Sequence, residues 1–168
     1  MLLAVAWLIP FMVHVLPWGG TRPLGAYLLP MFWMAFVAVY LHGLRLGLLV
    51  GLFSPLLNLL FTGLPALGWL SMMGLELIVF TFFVWWTIRR TPRFWLIAPF
   101  GYMVAKILST LALAVMGKYL DFGTSSSLII ESLRNGLPGL GVLAVINLAM
   151  VLLYPKSPEG KRHDATGV

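Results

Sequence analysis

Two side chains in this sequence carry charge where almost nothing around them does. Glu76 sits inside Ser71-Met72-Met73-Gly74-Leu75-Glu76-Leu77-Ile78-Val79-Phe80, and Lys106 inside Gly101-Tyr102-Met103-Val104-Ala105-Lys106-Ile107-Leu108. An ionisable group in so apolar a stretch is expensive to hold, so it needs either a protein partner or a polar ligand. Asn58 and Asn147 are the amides embedded in two other apolar runs. An acid, a base and two amides suit recognition of a small molecule of mixed polarity. They equally suit an internal staple, with Glu76 and Lys106 neutralising each other and the amides bonding between helices.

Catalysis finds no candidate in the same inventory. Glu76 is the one acid within an apolar run, so paired-carboxylate chemistry has no second member. There is no His-Glu-x-x-His, no Gly-x-Ser-x-Gly and no phosphate-binding loop, and the chain contains no cysteine. The expectation is a protein that is not an enzyme, holds no metal or cofactor and binds no nucleic acid.

The elements that position these residues follow from composition. Of 168 residues, 61% are hydrophobic and 10% charged, and the mean hydropathy is +0.98. A soluble domain carries roughly 25% charged residues, and its surface could not hide this much apolar area from water. The bilayer must therefore solvate most side chains. In hydrocarbon each backbone N–H and C=O needs an internal partner, which leaves helices or a closed barrel. The apolar runs do not alternate with period two, so the expected fold is an all-α membrane protein.

Gly, Pro and charge punctuate the chain into six expected transmembrane helices. They run from Met1 to Pro17, Ala26 to Leu41, Leu46 to Thr62, Trp69 to Ile88, Phe94 to Met116 and Gly136 to Tyr154. Residues 1–155 then form the transmembrane domain and 156–168 a polar cytoplasmic tail. The boundary between spans two and three is open to a second reading, one long span with a re-entrant loop. Pro55 is expected to kink span three, and Gly43, Gly47 and Gly51 recur at the four-residue spacing that lets helices approach closely. With six spans, Arg45, Arg89, Arg90, Arg93, Lys156, Lys161 and Arg162 share one side, whereas Arg22, Lys118 and Arg134 lie on the other. The basic excess marks the first side as cytoplasmic and places both termini there.

In this arrangement Glu76 lies about 10 Å below the outer end of span four and Lys106 about 15 Å below that of span five. Asn147 reaches a similar depth in span six, and Asn58 lies nearer the outer surface. All four then line the outer half of the bundle. Most aromatic residues fit interfacial belts. Trp18 and Trp69, at the outer loops, are placed to stack on a flat ring. His14, near the outer end of span one, is either a ligand contact or an interfacial residue. Gly117 to Asn135 reads as a long polar outer loop, a lid or a solvated connector.

Span three and its turn, Gly47-Leu48-Leu49-Val50-Gly51-Leu52-Phe53-Ser54-Pro55-Leu56-Leu57-Asn58-Leu59-Leu60-Phe61-Thr62-Gly63-Leu64-Pro65, resemble the third-helix signature of S components. These are the substrate-binding membrane subunits of energy-coupling-factor (ECF) vitamin transporters. Glu76 with Arg89-Arg90 in span four is similar too, as is Asn135-Gly136-Leu137-Pro138-Gly139-Leu140-Gly141 at the entry to span six. In helix one the family's Ala-x-x-x-Ala spacing is not kept, since Leu8 and Pro10 stand four residues after Ala4 and Ala6.

The resemblance implies an S-component-like bundle in a bacterial or archaeal cytoplasmic membrane, capturing a vitamin or related small molecule in an outer-half pocket. Its implied partners are a transmembrane coupling subunit and two ATPase subunits. The substrate-binding set would be Glu76, Lys106, Asn58, Asn147, Trp18, Trp69 and His14. The rival readings are a structural membrane scaffold and an autonomous small-molecule channel or facilitator.

Overall fold

The structure, a computed structural model, describes residues 8, 12, 27–63, 67–115 and 122–156. These residues form six α-helices and, among them, no strand: α1 (Pro30–His42), α2 (Leu44–Thr62), α3 (Leu67–Arg90), α4 (Ile97–Val115), α5 (Phe122–Asn135) and α6 (Leu137–Leu153). Three of them, α2, α3 and α4, are long and apolar enough to cross a membrane. A fourth span results if the end of α5 and α6, bent by 62° at Gly136, are taken together. The chain is thus helical and compatible with several membrane crossings. The expected first span lies outside the described residues.

Spans two and three are separate helices. They turn on Gly43 alone, whose φ of 84° is a conformation that a side chain resists. Its N–H closes α1 on the Val39 carbonyl at 2.9 Å, and its carbonyl accepts the first bond of α2 from Gly47 N–H at 3.1 Å. Of the expected glycine stripe, Gly47 lies against Val39 and Gly51 against Leu77 and Thr81, so both serve close packing while Gly43 makes the turn. Helix α2 runs unbroken through Pro55.

Helix α3 is the centre of the bundle and packs against α1, α2 and α4; α6 closes it against α1 and α4. Phe36, Tyr40, Phe80, Val84, Ile97 and Leu143 fill the core. The outward faces stay apolar, with Phe53 and Leu60 on α2, Leu108 and Leu111 on α4, and Val145 and Leu152 on α6 all exposed. Large apolar side chains on the outside as well as the inside are what a helix meeting lipid requires.

Two expectations are corrected. From Phe122 onward the segment expected as a polar loop is helix α5, because Ile129, Ile130 and Leu133 recur at helical spacing and Leu133 packs on the core. Span two is also shorter than expected: α1 has 13 residues, about 20 Å at 1.5 Å per residue. Ahead of α1, residues 27–29 cross the start of α6 so closely that a side chain at Gly139 would meet the Tyr27 carbonyl oxygen at 2.7 Å.

Candidate functional site

Glu76 and Lys106 face each other from α3 and α4. The Lys106 Nζ donates to Glu76 Oε1 at 2.7 Å. Glu76 is 3% exposed and the Lys106 side chain 12%. The helices run antiparallel, and Gly101 permits the contact by seating Phe80, Phe83 and Val84 against its Cα. Four residues further along α4 and four back along α3, the same two faces bring Lys106 to Glu76.

An aromatic layer supports the pair. Phe80 lies one turn from Glu76, and Tyr102 one turn from Lys106. Phe32 of α1 meets both rings edge-on, at 5.1 Å and 86° to Phe80 and 4.9 Å and 87° to Tyr102. All three rings are buried. With carbon on that side, Glu76 and Lys106 find polar company only among groups further toward the α2–α3 turn.

Such groups are present. Gly51 sits between Leu77 and Thr81, so one turn on, Ser54 reaches the level of Glu76 and Asn58 lies a turn beyond. Thr110 follows Lys106 by one turn on the same face of α4. Ser54, Asn58 and Thr110 are all buried. Asn58 is engaged in a polar contact. The hydroxyl oxygens of Ser54 and Thr110 have no hydrogen-bond partner among the described residues. A helical threonine can bond the carbonyl a turn back, and Thr81 does so at 2.8 Å to Leu77. Thr110 does not.

The sequence-predicted set therefore divides. Glu76, Lys106 and Asn58 lie on three adjoining helices in one half of the bundle. Asn147 does not join them, contrary to the depth expected for it. Its Oδ1 accepts from the Ala98 N–H at 2.8 Å, and its Nδ2 donates to the Phe94 carbonyl at 3.4 Å. It caps the start of α4, about 13 Å along that helix from Lys106. The expectation failed because α6 begins closer to the middle of the bundle than a full span would. Trp69 stands two turns before Glu76 on α3 and is half exposed. His14 and Trp18 lie outside the described residues.

Ser54, Thr110 and the ring layer of Phe32, Phe80 and Tyr102 were not singled out from the sequence. The spacing held a signal for the first two: Ser54 precedes Asn58 by four residues and Thr110 follows Lys106 by four, which puts each on its partner's face. No group of three or more metal-ligating side chains occurs among the described residues. Comparison of the chain with protein-family models, curated proteins and solved structures finds no match.

Proposed function

We propose that this protein is the substrate-binding subunit of an ECF-type importer, a six-span S component with both termini in the cytoplasm. It captures a vitamin-like small molecule in the half of the bundle nearest the α2–α3 turn and passes it on through a coupling subunit and two ATPase subunits. The observation that carries the reading is the polar group around Glu76 and Lys106. Three helices contribute to it, and two of its hydroxyls have no protein partner among the described residues. A buried hydroxyl left unbonded costs about 1–3 kcal/mol, a reason to look for a ligand that bonds it. The ion pair is closed, so the site presents no net charge. A ligand of balanced polarity suits it, with donors for the remaining Glu76 oxygen and acceptors for Lys106 and the hydroxyls.

Tryptophan fluorescence of the purified protein, titrated with water-soluble vitamins and their precursors, tests this. Saturable quenching by one of them, weakened at least tenfold in Glu76→Gln, is the expected result. A flat response from folded protein across the panel would overturn it. The closed 2.7 Å pair also favours a second reading, a membrane scaffold in which Glu76 and Lys106 staple α3 to α4. That reading predicts no small-molecule affinity and a firm dependence on a protein partner.

A further inference from the structure

At the opposite end of α3 the sequence turns abruptly basic, and the basic side chains are arranged on rings. The Arg89 guanidinium lies over the Trp85 ring, 4.4 Å from its centroid, and that of Arg90 lies over Trp86 at 4.3 Å. Each pair spans one helical turn, so two Trp–Arg ladders run side by side up the last turn of α3. Arg93 follows in the turn that leads to α4, and it and both other arginines are exposed. Trp86 and Trp95 are half exposed beside them. On α2, Arg45 comes level with Trp85 and Trp86 by the same register that sets Gly51 against Leu77 and Thr81.

This rim carries positive charge without local compensation. The described carboxylates are those of Glu76, buried against Lys106, and Glu131, on α5. Neither lies in the turn between α3 and α4. A guanidinium stacked flat on an indole keeps its N–H edge free to donate, and that edge matches two oxygens of a phosphate. The stacking also holds the charge at the depth of the tryptophan, and tryptophan in a membrane protein favours the headgroup layer.

We infer that Arg89, Arg90 and Arg93, braced by Trp85 and Trp86, form a binding site for the phosphate of an anionic phospholipid in the leaflet where α3 ends. The occupant is a lipid rather than a soluble anion, because the half-exposed faces of Trp86 and Trp95 lie beside the cations and suit acyl chain and glycerol. The site is independent of the Glu76–Lys106 group and stands whether or not that group binds a substrate. It does rest on the helices crossing a bilayer.

The test is native mass spectrometry of the full-length protein from micelles holding equimolar phosphatidylglycerol and phosphatidylcholine with identical acyl chains. Melting temperatures in nanodiscs of each lipid are measured in parallel. The wild-type protein should retain phosphatidylglycerol over phosphatidylcholine on the order of tenfold and melt higher in it. R89Q/R90Q/R93Q should lose both preferences. Equal retention of the two lipids by the wild type, or an undiminished preference in the triple variant, would overturn the inference. So would an equal stabilisation of detergent-solubilised protein by inorganic phosphate alone. If the triple variant does not fold, R90Q and W86L each provide the reading, and a preference unchanged in both counts against the site.

Discussion

The hydroxyls of Ser54 and Thr110 separate the two readings of the polar group most sharply. A buried hydroxyl with no partner contributes little to the fold, and replacing it by a carbon of similar shape is near neutral or stabilising. Ser54→Ala and Thr110→Val should therefore leave the melting temperature unchanged or raise it slightly. If a ligand bonds these oxygens, its Kd should rise about two- to tenfold in each variant. A variant that melts lower with unchanged affinity would show a hydroxyl engaged by the protein itself. The ion pair behaves differently. Glu76→Gln or Lys106→Met strands one buried charge and should destabilise by about 3–5 kcal/mol. The double variant should recover most of that stability, since neither charge then remains, and denaturant unfolding in detergent measures the cycle. Recovery without ligand binding is expected of a binding subunit; recovery with unaltered function is expected of a staple.

At the scale of elements, the bundle is held by close approaches and one amide cap. Asn147 joins α6 to the start of α4 by satisfying the Ala98 N–H and the Phe94 carbonyl. Asn147→Leu should cost about 1–3 kcal/mol by leaving a buried backbone group unbonded. It should leave ligand affinity unchanged, because the cap is remote from Lys106. A fall in affinity at unchanged stability would return Asn147 to the ligand set. A second fastening sits at the same end, where the Tyr40 hydroxyl donates to the Tyr154 carbonyl at 2.9 Å and Lys156 lies over the Tyr40 ring. These ties concentrate where α1 and α6 end. The other half of the bundle, where Ser54, Asn58 and Thr110 lie, is formed by the longer α2, α3 and α4.

For the whole molecule, the absence of cysteine makes the orientation open to a direct experiment. A single cysteine in place of Gly63, in the turn after α2, and another in place of Thr91, in the turn after α3, should label from opposite sides of intact cells. With the proposed orientation, a membrane-impermeant maleimide reaches position 63 from outside and position 91 only after lysis. Labelling of both from the same side would mean that α3 does not cross. The lipid site belongs to the same picture, since it places Arg89, Arg90 and Arg93 in the leaflet that position 91 faces.

Much of this was legible in the sequence, for reasons that differ by residue. The helical, lipid-compatible class follows from composition, because no amount of folding hides so much apolar surface from water. Glu76 and Lys106 stand out because a charge in an apolar run is too costly to be accidental. The turn at Gly43 follows from a residue type that alone accepts its φ. Which groups meet is a different matter. The register of α2 on α3 sets Ser54 level with Glu76, the short α1 brings Phe32 onto Phe80 and Tyr102, and the bend at Gly136 carries Asn147 to the far end. Register and helix tilt arise from side chains of distant segments fitting together, with small residues such as Gly47, Gly101 and Gly139 deciding how near two backbones come. Periodicity along one segment determines which face a residue occupies; only the packing of segments decides what that face touches.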